Sequence, residues 1–586
     1  MEDTVSTMNS RSEDPARINR RSFLKLAGAS LAALAVGGCS DSKPLEFSAD
    51  PAGQKPITQV EKMPNLPQPF AMRDWKSVSQ KYDQLVFDFN AKGDFLPLIW
   101  PDTTRVNMPR DGFGLPSYVG DTRQGTGSAH EGITCISAVL GASLVGIDKS
   151  NQDGRDYVDM LEDYYNSANG QNLVLNSVSA KTGYTFWYEI YPSLLYSALS
   201  ALYPQKSRMA EINRSVAERW YAACQVMGGS DTSFPNFLYT AFNFEEMQPK
   251  FNGQWYEPDG AAGVGWLEYM AYVQFKDEKF LQAADWCLQF LMNIERDPLY
   301  EVLLPFGAAL AVRMNAELGR QYDTQKLINW CFDGSYYRFD WGVNSRRWSD
   351  YDTHGLASLR TVASGYAFAM NTFAWAGALT PVARYDVSYG RAIGKWMLNL
   401  ANSARLFYAN ALPPDHQSSS FWKGDPDSVI AYEGLQEISD RGVKVYAAGD
   451  PIKMRWGKTD FGLYGSSHVG MLGAIAAPTK DEKILQLDLL ATDFHHAEAY
   501  PTFLYYNPYD VSKDVELSLG DQAVDLYDAI NHRFMRKNAR GTLALALPAD
   551  TACVLVQVPR GGKISYQDKK MLINHVVVDF NYPQTS

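Results

Sequence analysis

The most regular feature of the sequence is an alternation of two kinds of helical segment between about residues 73 and 493. Segments of the first kind are apolar on nearly every side, whereas segments of the second kind carry apolar residues at helical spacing with charges between them. A helix that is apolar all round must be buried all round, but an amphipathic helix can lie outside it and face water. The alternation therefore predicts an inner layer of helices wrapped by an outer layer.

Six apolar segments are each followed by one amphipathic segment. The apolar segments are 130–145, 187–202, 260–275, 300–317, 361–379 and 467–477. The amphipathic segments are 156–165, 209–227, 278–294, 322–331, 382–406 and 482–490. A further amphipathic stretch, 74–90, precedes them and is expected to complete or cover the ring. Six such hairpins predict a mainly α fold, an (α/α)6 toroid, over residues 70–506.

The pattern resembles the six-hairpin (α/α)6-barrel glycosidase superfamily, which includes inverting glycoside hydrolases, unsaturated glucuronyl hydrolases and related lyases. The resemblance rests on architecture and not on a diagnostic motif, and it implies a catalytic toroid that acts on carbohydrate. The pattern leaves open a different all-α toroid or an α-solenoid. A solenoid, however, normally repeats at a fixed length with repeated signature residues, and these hairpins differ in length.

After about residue 507 the pattern changes to short runs rich in β-forming residues. These runs are 515–519, 542–547, 553–558 and 575–580, and turns rich in Gly, Pro and Asp separate them. The sequence therefore predicts a small C-terminal β-sandwich over residues 507–586.

The N-terminus has the features of an export signal. Residues 20–25 (RRSFLK) resemble a twin-arginine signal, and the mildly apolar stretch after them is too short to span a bilayer. Residues 36–39 (VGGC) resemble a bacterial lipobox, in which Cys39 would be acylated. The order of these motifs predicts a signal peptide over 1–39 and a flexible tether over 40–69. We therefore expect a lipoprotein anchored at the outer membrane or at the periplasmic or cell-surface face.

Composition adds three expectations. The net charge of -12 argues against a nucleic-acid partner, because phosphates would be repelled. The aromatic content of 13% favours a carbohydrate partner, because flat rings stack on the C–H faces of sugars. The cysteines beyond residue 39 are predicted to be buried thiols, with no disulfide framework and no metal site, and no cofactor is expected. They are Cys135, Cys224, Cys287, Cys331 and Cys553.

Acids, histidines and tryptophans gather where the inner helices begin, and parallel inner helices would bring these ends to one mouth. Glycoside hydrolysis needs two carboxyl groups beside the scissile bond, about 6.5–9.5 Å apart in an inverting enzyme. We predict Asp259 and Glu131 as this pair, with Asp352 as the main substitute. Glu257 and His354 are predicted to assist. The predicted substrate-binding residues are Trp187, Trp255, Trp348, Tyr188 and His468. For each single acid the alternative is helix capping, which also favours carboxylates at these positions.

The favoured function is that of an inverting glycoside hydrolase acting on an extracellular or periplasmic polysaccharide or oligosaccharide. One alternative is a polysaccharide lyase on the same toroid, for which Tyr366, Asn371, His354 and Arg384 are suitable residue types. An acidic mouth would repel the uronate on which a lyase acts. The second alternative is a lipoprotein that binds glycans without catalysis.

Overall fold

The computed structural model describes residues 45–46, 53–94, 96–116, 131–360, 365–422, 429–455 and 457–583. The predicted signal peptide and the lipid attachment at Cys39 lie outside these residues and stay predictions, as does His130 at the start of the first apolar segment. In the described part of the chain, no helix combines the length and the apolar character needed to cross a membrane.

Helices dominate the described residues between 53 and 475. In chain order they are α1 (Thr58–Glu61), α2 (Trp75–Val86), α3 (Gly132–Leu144), α4 (Tyr157–Met160), α5 (Phe186–Leu202), α6 (Ser207–Val226), α7 (Gly260–Phe275), α8 (Glu278–Asn293), α9 (Leu303–Leu318), α10 (Thr324–Phe332), α11 (Ala369–Leu379), α12 (Val382–Tyr385), α13 (Gly390–Ser403), α14 (Asp450–Met454), α15 (Leu463–Ser466) and α16 (Val469–Ile475).

The inner ring consists of α3, α5, α7, α9, α11 and the consecutive pair α15–α16. Each of these helices packs against the next, and α16 packs back against α3, so the ring is closed. The predicted (α/α)6 toroid is therefore confirmed. The outer layer contains α6, α8, α10 and α13, and α2 packs on α16 as the outer partner of the sixth inner helix. The stretch 74–90 thus completes the ring.

Glycines allow the inner helices to approach closely enough to close the ring. A Cβ atom on Gly470 of α16 would lie 2.2 Å from the Cα atom of Gly141 on α3. A Cβ atom on Gly307 of α9 would lie 2.5 Å from the Cβ atom of Ala262 on α7. Since interiors are close-packed, no side chain fits at either crossing. Glycine in these apolar segments therefore sets the distance between neighbouring helices.

Two predicted outer helices are wrong. The first hairpin has only the short α4 and a 3-10 turn (Leu161–Tyr164) in place of a full helix. Residues 482–490 form a strand, Leu485–Asp488, whose buried and partly exposed residues alternate. This period of two is typical of a strand with one covered face, and it prevails over the helical interpretation of the same apolar residues.

The strands in chain order are β1 (Leu45–Glu46), β2 (Trp100–Asp102), β3 (Gly112–Gly114), β4 (Ala241–Asn243), β5 (Gln248–Lys250), β6 (Trp341–Val343), β7 (Ala357–Leu359), β8 (Tyr366–Phe368), β9 (Gly434–Ile438), β10 (Lys444–Ala448), β11 (Ala476–Pro478), β12 (Leu485–Asp488), β13 (Thr502–Asn507), β14 (Lys513–Ser518), β15 (Val524–Asp528), β16 (Arg533–Ala539), β17 (Thr542–Leu547), β18 (Thr551–Pro559), β19 (Ile564–Gln567), β20 (Lys570–Ile573) and β21 (Val576–Asp579).

The C-terminal β-sandwich is confirmed, but it begins earlier than residue 507. A six-stranded sheet, in the order β11-β12-β13-β18-β15-β16, faces the three-stranded sheet β1-β17-β14 across a shared apolar core. The sandwich therefore starts at Ala476, and it includes a strand from the N-terminal side, because β1 pairs in parallel with β17. A third sheet, β19-β20-β21, follows. The sheet β10-β9-β8-β7-β6 leads into α11, so this inner helix starts at Ala369 and not at residue 361.

The second half of the predicted tether is packed onto the toroid. Ile57, Val60 and Met63 are buried in the main core, and the backbone amide of Lys55 donates to the carbonyl of Ser388 at 2.7 Å. The three apolar residues are spaced three apart and form one apolar side, which prevails over the polar composition of the segment. The prediction of a flexible tether over 40–69 is therefore wrong for this half.

Candidate active site

Aromatic side chains from three inner helices contact one another near the starts of those helices. Tyr191 of α5 stacks on His468, with ring centroids 5.8 Å apart and planes 9° from parallel. Tyr191 also contacts Phe306 of α9 at 6.3 Å. His468 is the N-cap residue of α16 and follows the short helix α15, so it lies at the entry of the sixth inner helix, as predicted. The mouth therefore has a floor made by side chains from three inner helices.

Unpaired polar atoms surround this floor. Five of the six inner helices each contribute a buried side chain with a polar atom that has no hydrogen-bond partner among the described residues. These residues are Glu131, Tyr191, Asp259, Asn371 and His468. Glu268, in the second half of α7, also has unpaired oxygens, but these five residues all lie at or near the starts of their helices. Buried polar groups are normally hydrogen-bonded, so unpaired donors and acceptors at the starts of five inner helices indicate a site for a polar ligand.

Glu131 immediately precedes α3 but does not cap it. Asn176 takes that role, because its carbonyl and side-chain oxygens accept from the amides of Gly132 at 2.8 Å and Ile133 at 3.0 Å. The carboxyl group of Glu131 makes no capping bond, and its Oε2 atom is unpaired and buried. Burial raises the pKa of Glu131 to about 7, although a hydrogen bond with Asn176 acts against this change. Capping therefore does not explain this acid.

Asp259 has the same position before α7 and also makes no capping bond. Its Oδ2 atom accepts from the amide of Tyr300 at 3.0 Å, and its Oδ1 atom is buried and unpaired. Burial raises the pKa of Asp259 well above its usual range, and the nearby carboxylate of Glu257 raises it further. Two carboxyl groups that hold their protons unusually tightly thus come from separate inner helices.

Glu257 is fully engaged by its neighbours. Arg338 donates to its Oε1 atom at 2.6 Å, and the indole of Trp255 donates to the same atom at 3.1 Å. The amide of Trp187 lies 3.4 Å from its Oε2 atom, which also accepts from Thr185. Burial raises the pKa of Glu257, while the hydrogen bond from Thr185 and the charge of Arg338 act against this. Glu257 therefore supports the loop beside Asp259 and has little capacity left for a ligand.

The structure does not bring Asp352 and His354 to the mouth. The two side chains pair with each other at 2.6 Å, and Asp352 also accepts from the amide of Gln68 at 3.0 Å. Gly355 packs against the backbone of Leu400 in the outer helix α13. Burial opposes ionisation of Asp352, but the bonds from His354 and Gln68 outweigh it and keep its pKa below the usual value. This pair therefore fastens residue 68 to the outer layer.

Two of the predicted stacking tryptophans are covered. Trp348 is 1% exposed and Trp187 is 3% exposed, so neither presents a ring face to a ligand. Tyr188 stacks on Trp187 with centroids 4.7 Å apart and is itself partly exposed, as is Trp255. The prediction of a stacking role is therefore wrong for Trp187 and Trp348, because their rings serve the core.

Sequence reasoning missed Glu433. Its carbonyl accepts from the amide of Ala369 at the start of α11, and its Oε2 atom accepts from the amide of Asp450 at 2.8 Å. Burial, with repulsion from Asp450 and Asp460, raises the pKa of Glu433 to about 8. Glu433 precedes a strand far along the chain from α11, so no helical pattern in the sequence marks it. Arg338 and Tyr191 were missed because only the fold brings them to Glu257 and to the floor.

Among the residues that the structure describes, no three histidine, cysteine or carboxylate side chains form a group able to hold a metal ion. The five cysteines beyond residue 39 are free and buried, as predicted.

No protein-family model matches the chain, and no curated protein matches it. Among solved structures, an unsaturated glucuronyl hydrolase from Streptococcus agalactiae is 11% identical, with a TM-score of 0.36 over 74% of this chain and 98% of that chain. A GH127 β-L-arabinofuranosidase from Geobacillus stearothermophilus T6 is 10% identical, with a TM-score of 0.33 over 87% and 85%. At these values neither likeness carries an argument about activity. The class of the protein, an (α/α)6 toroid with a β-sandwich, follows from its own closed ring of helices.

Proposed function

We propose that this protein is a glycoside hydrolase of the inverting type that cleaves an extracellular or periplasmic polysaccharide or oligosaccharide. The observation that carries the proposal is the set of unpaired buried polar groups at the mouth, which includes two carboxyl groups with raised pKa values. Sugar hydroxyls both donate and accept hydrogen bonds, so such a site suits them. The perturbed carboxyl groups suit acid–base chemistry.

The two carboxyl groups take different roles. Burial raises the pKa of Asp259 well above its usual range, which favours its protonated form, so Asp259 would act as the general acid and protonate the glycosidic oxygen as the bond to the anomeric carbon breaks. Glu131, with a pKa of about 7, is partly ionised at neutral pH and would take a proton from the attacking water. That water adds to the opposite face of the sugar, which inverts the anomeric centre. Arg338 and Glu257 fix the loop that carries Asp259.

The test uses Asp259→Asn and Glu131→Gln in the mature protein, with the exposed Glu498→Gln as a matched control. Each of the first two variants should lower sugar release by at least about a hundredfold, since a positioned acid or base contributes roughly 10²–10⁴-fold. Glycan affinity should stay close to that of the wild type. Polarimetry or NMR of the first product should show the inverted anomer. If the wild type only binds glycans and releases no sugar, the protein is a glycan-binding lipoprotein instead.

The lyase alternative loses its constellation in the structure. Asn371 lies in the first turn of α11, while Arg384 follows the end of that helix and pairs with Asp493. A helix of 11 residues is about 16 Å long, so the two side chains belong to opposite ends of the toroid. Tyr366 and His354 have other partners, Glu433 and Asp352. A lyase would nevertheless reveal itself by the ultraviolet absorbance of its unsaturated product.

Export and anchoring complete the proposal. The motifs at residues 20–25 and 36–39 support passage through the twin-arginine route and a lipid on Cys39. The net charge of -12 and the aromatic content of 13% support a polysaccharide and not a nucleic acid as the partner. Replacing Arg20 and Arg21 with lysine should retain the full-length precursor inside the cell. Cys39→Ser should release the exported protein from the membrane fraction. If the Cys39→Ser protein still sediments with membranes after a salt wash, the lipid anchor is refuted.

A further inference from the structure

Two loops beside the candidate active site carry a group of exposed aromatic rings. Phe251 and Tyr256 lie in the loop that leads into α7, and they are 45% and 36% exposed. Tyr336 and Phe339 lie in the loop between α10 and β6, and they are 59% and 50% exposed. Tyr337, which is partly exposed, lies between them. We call these five residues the aromatic strip. Large apolar side chains gathered on a surface usually mark a binding site.

Four of the five rings of the aromatic strip form a continuous row, and Phe339 lies beside Arg338. Phe251 stacks on Tyr256 with centroids 4.4 Å apart and planes 14° from parallel. Tyr256 contacts the edge of Tyr337 at 6.5 Å, and Tyr337 contacts Tyr336 at 5.2 Å. Phe251 and Tyr256 cover one face of each other, and Arg296 lies over one face of Tyr336, so the faces left open are those on the outer sides of the exposed rings. Several rings in one place suit a ligand that is itself a chain of similar units.

The middle of the row, at Tyr256, is next to the candidate catalytic groups in the chain. Tyr256 immediately precedes Glu257, and Asp259 follows two residues later. From the other loop, Arg338 donates to Glu257 at 2.6 Å, and its guanidinium lies 5.4 Å from the ring of Phe339. The aromatic strip and the buried Asp259 are thus joined through Glu257, which is adjacent to Tyr256 and is bound by Arg338.

The second loop is held in place by its own bonds. The hydroxyl of Ser335 donates to the carbonyl of Arg338 at 2.8 Å and accepts from the amide of Trp341 at 2.8 Å. The amide of Tyr336 donates to the carbonyl of Asp297 at 3.0 Å. Rings presented on a fixed loop lose little freedom when a ligand binds, which favours affinity.

We propose that the aromatic strip binds several consecutive sugar units of a polysaccharide chain and directs one end of that chain into the mouth. The proposal rests on the proposed function and makes it more specific, because it names a polymer as the substrate class in place of a short oligosaccharide. Flat rings stack on the C–H faces of sugars, and tyrosine adds a hydroxyl that can bond to the sugar. The alternative occupant, a protein surface, is an outcome of the test.

The experiment compares Tyr256→Ala, Tyr336→Ala and Phe251→Ala with the wild type. The matched control is Tyr566→Ala, which removes a tyrosine as exposed as Tyr336 (59%) on β19. Its ring contacts Tyr582 at a tilt of 38°, and it is remote in sequence from the mouth. Binding is measured by affinity electrophoresis in gels containing xylan, arabinan, pullulan or laminarin. Each strip variant should bind the preferred polymer about three- to tenfold more weakly, and the control should bind it normally. Turnover of a short chromogenic glycoside should fall less than polymer binding does.

Each other result has a defined meaning. Strip variants that bind the polymer as the wild type does, or a wild type that binds none of the four, overturn the proposal. Equal loss on polymer and on the short glycoside overturns it too, because the rings would then act only within the mouth. A change in oligomeric state with unchanged polymer binding would instead indicate an interface between protein molecules. Weaker polymer binding by strip variants on an Asp259→Asn background supports the strip even if the wild type hydrolyses nothing.

Discussion

Replacing Glu131 with glutamine tests whether this carboxyl group is as strongly perturbed as its surroundings indicate. Burial raises its pKa from an ordinary value of 4.5 to about 7. The native protein therefore holds the proton of Glu131 more tightly than the unfolded chain does. In that situation the free energy of unfolding falls as the pH rises between these two values, and the loss is complete above about pH 7.

The size of the effect follows from the same difference. A pKa difference of one unit between the folded and unfolded states corresponds to about 1.4 kcal/mol. Ionising Glu131 should therefore lower the free energy of unfolding of the wild type by about 3 kcal/mol above neutral pH. Glu131→Gln has no proton to lose and avoids this cost. The difference in unfolding free energy between variant and wild type should therefore grow by about 3 kcal/mol between roughly pH 5 and pH 8.5 in favour of the variant.

The assay is urea unfolding followed by tryptophan fluorescence at these two pH values. Comparing two pH values cancels any fixed cost of placing an amide in the site. The exposed Glu498→Gln serves as control, and its stability should follow the wild type at both values. If the difference in unfolding free energy between Glu131→Gln and the wild type is the same at both pH values, the pKa of Glu131 is not raised, and its role as a base tuned to neutral pH is wrong.

Three further predictions concern the toroid. Gly470→Ala should lower the free energy of unfolding by about 1–3 kcal/mol in a urea titration, because the new Cβ atom would collide with Gly141. The control is Gly53→Ala, whose Cβ atom would lie in open space and should change that free energy little. Arg338→Leu should lower stability by about 3–5 kcal/mol, because it leaves Glu257 buried without its cation; unchanged thermal unfolding would contradict the importance of this ion pair. The five buried cysteines should react with a thiol reagent only in urea, and rapid reaction of the native protein would show that the packing is looser than described.

The sequence predicted the toroid because the inner helices are apolar on every side, a pattern that few architectures can bury. The prediction failed where the same apolar residues fit both the helical period of about 3.6 and the strand period of about 2, as in the strand Leu485–Asp488. It also failed where apolar residues are sparse, as at Ile57 and Val60. In those segments the structure is determined by contacts with residues distant in the chain. Strand β12 is fixed by pairing with β13, and Ile57 and Val60 are fixed by the main core.

In the candidate site, too, some features were predictable from the sequence and others were not. Glu131 and Asp259 were found from sequence because both immediately precede apolar helices, and the structure adds that neither acts as a cap. Trp187 and Trp348 satisfied the same reasoning, yet their rings are buried. Residue type and position before a helix do not reveal whether a ring faces the core or a ligand, because that depends on what packs over it.

The sequence by itself determined the inner and outer character of the helices, since burial of an apolar surface depends on residue type and spacing alone. It also determined that Glu131 and Asp259 immediately precede two of the inner helices. Only the tertiary structure decided that Glu433, Arg338 and Tyr191 join them, and that the exposed rings stand in one row beside Asp259. The physical reason is that exposure, ion pairing and pKa arise between side chains far apart in the chain, and closure of the ring brings those side chains together.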